Sequence, residues 1–371
     1  ERANWFAERD EEPHDIYTFG QPNWHGAVAR EHKAARDAAV LFDQTSFAKY
    51  ILTGPDAEQA LQWIAANRVD KPVGTIIYTQ MLNDNGGIEC DLTCVRTKHT
   101  EYYITTGTGY ATHDFDWIGR NIPSDLNVQL VDVTSSNAVL SLFGPKARDI
   151  LELVTTGDVS NTVHPFGFAR QIGIAGCSVL ALRITYVGEL GWELHLPVEN
   201  AQTVYSALIE AGTPLGLRNA GYRAIETLRL EKGYRAWSSD IGPDHTPDEA
   251  GLGWAVKMKS NISFKGRDAV ARQREEGIKK IMATFTTDSD IILSGRETIY
   301  RNGNRCGWLS SAGFGHTIKK FIGMGYVRSD EYIDTEFVLS GDYELEVATE
   351  RVKANVFLKP LYDPKMEKIK T

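Results

Sequence analysis

At 371 residues the chain exceeds one ordinary domain, and two or three packed units with ample core are expected. With 42% hydrophobic and 24% charged residues its composition is that of a soluble globular protein, and no apolar run approaches the roughly 18 residues of a membrane span. The net charge of -9, with no Lys/Arg stripe to override it, argues against a general nucleic-acid binder, so an anionic ligand needs a local cluster of cations.

Residues 1–22 are polar, acidic and proline-punctuated and read as an arm or linker. They contain no apolar h-region, so they are not a secretory signal peptide, and they do not begin with methionine. Helical periodicity runs from Gly26 to about Val40, and the strand-like run LFDQTSFAKYILTG follows. Asp56 to Ala65 has helical spacing. Thr75 to Arg96 reads as two strands joined at Asn83-Asp84-Asn85-Gly86-Gly87, a strong hairpin signal, and Tyr102 to Thr106 adds a third. Ala138 to Phe143 is strand-like and stops at Gly144-Pro145, where a helix begins. Ser178 to Pro197 forms a hairpin-like pair, and Asn200 to Ala211 an amphipathic helix. A further helix is expected after Asn219 as N-cap, ending at Gly233 as C′. After about residue 275 the composition shifts, and from Ile281 the chain is nearly all short strands, the pattern of a separate β-sandwich or barrel.

Cys90 and Cys94 fall on one strand-like run, about 13 Å apart, too far for a disulfide. With no CxxC pair or His-rich cluster, no metal site is expected, and a reducing compartment fits: cytoplasm, or mitochondrial matrix in a eukaryote.

Three charged residues stand out. Strand alternation places Ile88, Cys90, Leu92 and Cys94 on one face and Glu89, Asp91 and Thr93 on the other. The Asp91 face is either solvated or holds a carboxylate near a reacting nitrogen, with Tyr78 close by across the hairpin. Glu193 shares a face with His195, opposite Trp192, Leu194 and Leu196. It is either exposed or a planar acceptor for two parallel N–H donors, as on a pterin or guanine edge. Arg223, counted from Asn219, sits at about the fourth helical position, where a cation opposes the macrodipole. It either pairs with Glu226 or Thr227, or shares a ligand carboxylate with the free N–H groups of the helix start. His25, His32, His195, His245 and His316 are scattered and read as structural. The Gly-x-Gly in Thr106 to His113 lacks a third glycine, and there is no P-loop, so this chain shows neither a bound flavin nor an ATP site.

The segments EHKAARDAAVLFDQTSFAKY, YTQMLNDNGGIECDLT, YVGELGWELHLP, NAGYRAIETLRLEKGYRAW, FKGRDAV and IKKFIGMGYV resemble, in order, the folate-binding aminomethyltransferase family typified by the glycine cleavage T-protein. Within it the chain looks most like the C-terminal folate portion of sarcosine and dimethylglycine dehydrogenases. The opening ERANWF resembles the joint with their flavin domain, so the chain is expected to be the C-terminal part of a longer enzyme. The resemblance implies an α+β fold of three domains in a cloverleaf around a central folate channel. Residues 1–22 would be the arm, 23–275 a folate-binding core of two interleaved α+β domains, and 276–371 a C-terminal β-barrel.

By motif, Asp91 matches the acidic residue beside the folate's reactive nitrogens and Tyr78 the tyrosine of the preceding strand. Tyr186 matches the tyrosine of the GYTGE-type motif, and Glu193 the glutamate that grips the pterin. Arg223 is the candidate for the folate tail, with one departure: the T-protein carries its arginine where this chain has Ile225. Two residues turn about 200° around a helix, so Arg223 cannot point the same way without a shift.

The expected function is tetrahydrofolate-dependent one-carbon transfer. It captures the methyl-derived carbon of an N-methyl amine such as sarcosine or dimethylglycine as 5,10-methylenetetrahydrofolate. FAD is expected only in a separate or missing domain, and a flavin dehydrogenase domain or subunit is the expected partner, with no nucleic acid and no membrane. The alternatives are a free-standing demethylase moving a methyl group from an onium donor to tetrahydrofolate, and a non-catalytic folate-binding module.

Overall fold

The computed structural model describes residues 2–289 and 291–371. Period-two apolar patterning folds into three sheets, and the helices cover the outer faces of the first two. The first sheet has five strands, in the order Ile76–Leu82, Ile88–Lys98, Glu101–Thr106, Ala48–Thr53 and Gln129–Asp132. Tyr50, Cys90, Leu92, Cys94 and Ile104 on one of its faces pack against helices Ala57–Ile64 and Ala111–Asn121. The second sheet has six strands, in the order Leu217–Asn219, Ala39–Asp43, Asn137–Phe143, Gly191–Pro197, Cys177–Leu182 and Ala169–Ile174. Its Leu142, Trp192, Leu194 and Leu196 pack against helices Ala147–Val154 and Ala201–Gly212.

The chain leaves the second sheet after Asp43, builds all of the first, and returns at Asn137, so the two are interleaved along the sequence. A small apolar cluster, Val95 and Tyr103 against Ala169 and Leu182, joins the remaining faces of the two sheets. Those inner faces carry the polar residues of both alternating patterns.

Helix His25–Asp37 packs on helix Tyr222–Lys232 through Val28, Ala35, Ile225 and Leu228. The C-terminal strands close into a six-stranded barrel, resolving the sandwich-or-barrel alternative. Leu230 of the second helix docks on it against Met282, Ile322, Met324 and Tyr326. The barrel ends with Glu350–Phe357, and no helix among the described residues is long and apolar enough to cross a membrane. All four cysteines are free.

The structure moves some boundaries. The first helix stops at Asp37 rather than near Val40, because Val40, Leu41 and Phe42 are all buried and pair as strand with Asn137–Phe143. The LFDQTSFAKYILTG run is two strands, broken where Asp43 accepts the Thr45 N–H at 2.9 Å. Asn219 ends a strand instead of capping a helix; Gly221 is the N-cap, and Arg223 is the second helical residue. The other end is as expected. Gly233 is left-handed at φ 66°, and the Tyr234 and Gly233 N–H groups reach Arg229 O (3.0 Å) and Leu230 O (3.1 Å) in a Schellman arrangement. The hairpin tip also needs its glycines: Gly86 has φ 80°, and a Cβ on Gly87 would stand 1.7 Å from the carbonyl oxygen of Pro243.

Candidate active site

The hairpin register sets Gln80 directly opposite Asp91 and Tyr78 opposite Thr93, so all four share the inner face of the first sheet. Gln80 Nε2 donates to Asp91 Oδ1 at 2.8 Å, and the Tyr78 phenol hydrogen-bonds to the same carboxylate. Asp91 is half-buried. Burial raises its carboxyl, the bonds from Tyr78 and Gln80 hold it down, and nearby Asp114 pushes it up again, leaving it at about 6. A carboxyl titrating there is ionised at neutral pH yet basic enough to take a proton. On its other flank Tyr78 stacks on Trp254, with centroids 5.6 Å apart.

A cation faces this carboxylate. Arg235, just past the helix C-cap, donates through Nε to Ala250 O at 2.8 Å and carries its charge near Asp91, Tyr78 and Asp240. Burial lowers its guanidinium, and these neighbours oppose the shift. Tyr186 secures the Arg235 backbone through its phenol, 2.8 Å from the carbonyl, and stacks on Tyr234 at 5.8 Å.

On the second sheet, Glu193 pairs in register with Ser141 and Leu182, and its side chain is only 12% exposed. His195, two residues on and on the same face, holds Nε2 3.5 Å from the Glu193 carboxylate and bonds through Nδ1 to the Tyr103 phenol at 3.1 Å. Tyr103 shares the inner face of the first sheet with Thr93 and Asp91, so this bond ties the two inner faces together. Alternation alone allowed a solvated face at both Asp91 and Glu193; in the fold both faces turn toward the neighbouring sheet. Gln80 Oε1 and Thr105 Oγ1 are buried there without a hydrogen bond, and His195 Nε2 has only its 3.5 Å contact with Glu193. Buried polar groups are normally satisfied, so this is a surface suited to a flat ligand with its own donors and acceptors.

Tyr78, Asp91 and Tyr186 thus gather with Arg235, while Glu193 sits on the inner face of the second sheet beside His195 and Tyr103. Arg223 stands apart. It pairs with Asp15 and lies 3.9 Å over the Trp24 ring, and Asp15 is further fixed by Trp5 Nε1 at 2.7 Å. The helix-start N–H groups expected to be free are occupied. Gly221 donates to Glu31 Oε2 (2.9 Å), Tyr222 to Ala3 O (3.1 Å) and Arg223 to Asn4 O (3.0 Å). Glu31 of the first helix and the backbone of the N-terminal arm supply what a ligand carboxylate was expected to supply.

Two models of the same family account for almost the whole chain: the "GCVT N-terminal domain" over residues 1–260 and the "Glycine cleavage T-protein C-terminal barrel domain" over residues 280–363. The chain belongs to the glycine cleavage T-protein family. Mitochondrial sarcosine dehydrogenase of Mus musculus is 38% identical over 372 residues, covering 96% of this chain but 40% of that protein. The aminomethyltransferase of Halothermothrix orenii is 35% identical and matches 85% of this chain and 88% of its own length. The crystal structure of glycine cleavage system aminomethyltransferase T from Bartonella henselae superposes with a TM-score of 0.82 at 24% identity, over 95% of this chain and 94% of that one, which shows a shared fold. The chain is therefore an aminomethyltransferase-type domain that spans two fifths of the dehydrogenase it matches.

In this family member the GEL and LEKG runs are structural. Arg36 donates to Glu189 and to Glu231, each at 3.0 Å, and Glu231 also accepts from the Thr317 N–H at 2.7 Å. Tyr362 bonds to Glu189 at 2.6 Å and Lys232 to Asp363 at 2.9 Å, which clamps the C-terminal tail. Burial opposes the Glu231 charge, but His32 and Arg36 outweigh it and hold the carboxyl at about 2.

Behind the hairpin, ligand atoms of Cys90, His113 and Asp114 lie within 4.8 Å of one another. His113 already bonds to Asp114 at 2.9 Å and the Thr106 hydroxyl donates to the same carboxylate, so Asp114 is satisfied as it stands. Sequence reasoning overlooked Gln80, Arg235, Trp254 and Tyr103. Gln80 was legible as the same-face neighbour of Tyr78, whereas the others depend on long-range packing.

Proposed function

We propose that this domain carries out tetrahydrofolate-dependent one-carbon transfer, capturing the methyl-derived carbon of an N-methyl amine such as sarcosine as 5,10-methylenetetrahydrofolate. The supporting observation is the Asp91 carboxylate, turned inward between two sheets, held by Gln80 and Tyr78 and titrating at about 6. Tetrahydrofolate supplies two amines that take up a carbon at the oxidation level of formaldehyde.

In this reading Asp91 stabilises the positive charge that develops on an attacking nitrogen and accepts its proton, directly or through water. Arg235 favours the ionised form of Asp91, alongside Tyr78 and Gln80, and Tyr186 keeps Arg235 in place. Glu193 takes a planar pair of ring N–H donors, with His195 beside it. Tyr78 and Trp254 offer aromatic surface beside Asp91. Arg223 reaches an anionic tail by exchanging Asp15 for it. A folate bound between the sheets would exclude water from its amines and limit loss of formaldehyde.

The relatives named dehydrogenases are much longer than this chain, so the oxidation step is assigned to a flavin-bearing domain or subunit outside it. The test is Asp91→Asn in the complete enzyme. Folate binding stays nearly intact, while the yield of methylenetetrahydrofolate per amine oxidised falls about a hundredfold or more and free formaldehyde rises. Unchanged yield removes Asp91 from the chemistry. Finding 5-methyltetrahydrofolate as the product sinks the carbon-capture reading.

A further inference from the structure

A cleft of about 750 Å³ opens on the barrel, lined by Lys279, Lys280, Arg305, Trp308 and Arg328 together with Glu249 and Asp330. None of the residues placed between the sheets lines it. Lys280 is paired with Glu249 at 3.4 Å, but among the described residues Lys279, Arg305 and Arg328 have no carboxylate partner. Three cations outside any ion pair thus share the cleft with one further carboxylate, Asp330, on a chain of net charge -9. Arg328 Nε is shut off from solvent and makes no hydrogen bond. The positive field is felt next door: burial, then Lys280 and Arg328, push His245 down to about 4. The Arg328 guanidinium lies 4.3 Å from the Trp308 ring centroid, and the indole remains 46% exposed.

We propose that this cleft binds an anionic ligand with a planar ring, of the nucleoside diphosphate class, its ring on Trp308 and its phosphates on Arg305, Arg328 and Lys279. Guanidinium forks match phosphate oxygens in pairs, the Trp308 face not covered by Arg328 can stack a ring of any substituent, and the volume suits one such molecule. A simple oxyanion leaves the indole unused; a neutral ring leaves the cations unused.

The test is calorimetric titration of the whole chain with ADP, and separately with pyrophosphate, adenosine and a glutamate-rich peptide. ADP is expected to saturate a single site and to bind at least about tenfold tighter than either fragment. Arg305→Glu, Lys279→Glu and Trp308→Ala each weaken it by at least about tenfold, and Trp308→Phe restores most of the loss by returning an aromatic face. Affinity for tetrahydrofolate stays unchanged in these variants, which separates this cleft from the space between the sheets. The proposal is overturned by an absence of saturable ADP binding, by ADP binding that survives Arg305→Glu and Trp308→Ala, or by equal affinity for pyrophosphate. Tighter binding of the acidic peptide overturns it too, and makes the cleft a protein-docking surface.

Discussion

Gln80 and Asp91 are direct partners across the hairpin, and the Gln80 amide donates to the carboxylate at 2.8 Å. The donor favours the ionised form, so it sets part of the Asp91 proton affinity. Gln80→Leu removes it and raises the carboxyl above its present value of about 6. A base works only when ionised, so activity is lost as pH falls through that value. The acidic limb of the rate profile therefore moves to higher pH, by about half to one unit for a bond of this kind. A limb that stays in place shows that another group titrates.

The same carboxylate opposes folding when charged. Its folded value of about 6 lies above the ordinary 3.8, so the folded state binds the extra proton between those values. Stability from this site is present below about 4 and is lost as pH rises through about 6. Asp91→Asn, with no charge to bury, should be the more stable protein near neutral pH. The gain is on the order of 1 kcal/mol, discounted for the solvent contact Asp91 keeps. Urea melts at acid and neutral pH read the difference, which should close below about pH 4. A variant less stable at neutral pH contradicts the buried-charge account.

Glu193→Gln tests the other inner face. It keeps shape and burial but turns one acceptor into a donor facing donors. Folate affinity should weaken by about 2–3 kcal/mol, roughly thirtyfold to over a hundredfold, while the melting temperature moves little. Unaltered affinity in a folate titration removes Glu193 from ring recognition.

Much of this was legible because the strand period is short and local. In GWELHLP the alternation assigned every residue to its correct face, and in GGIECDLTC it did so from Cys90 onward; a bulge between Ile88 and Cys90 turns Ile88 away from the Cys90 face, to pack with Leu82, Ile241 and Tyr78. What alternation cannot supply is the identity of the neighbour. The faces of Asp91 and Glu193 look like solvated faces until the second sheet is laid over the first, and that follows from chain connectivity between Asp43 and Asn137. Arg223 shows the same limit. Its helix position depended on whether Asn219 or Gly221 capped, and its partner, Asp15, lies in an arm with no periodic signal. Motif strings also conflate roles: within YVGEL, Tyr186 sits beside the candidate site, whereas Glu189 belongs to the clamp on the C-terminal tail.

That clamp makes a prediction of its own. Arg36 is 6% exposed and is shared by Glu189 and Glu231, both almost fully buried. Arg36→Met fills the volume but leaves two carboxylates without their cation. Breaking a buried pair from one side typically costs about 3–5 kcal/mol, because the surviving charge stays desolvated. The sign with pH follows Glu231, held at about 2 against an ordinary 4.5 by His32 and Arg36, and is opposed in part by Glu189, whose carboxyl burial raises despite Tyr362 and Arg36. A depressed carboxyl contributes stability that is complete above 4.5 and is lost as pH falls toward 2. The gap between wild type and Arg36→Met should therefore be widest near neutral pH and shrink on acidification through that window. Guanidinium melts at several pH values measure it. A gap that stays constant assigns the loss to packing of the Arg36 stem against Tyr362, whose ring lies 3.9 Å from the guanidinium, rather than to charge.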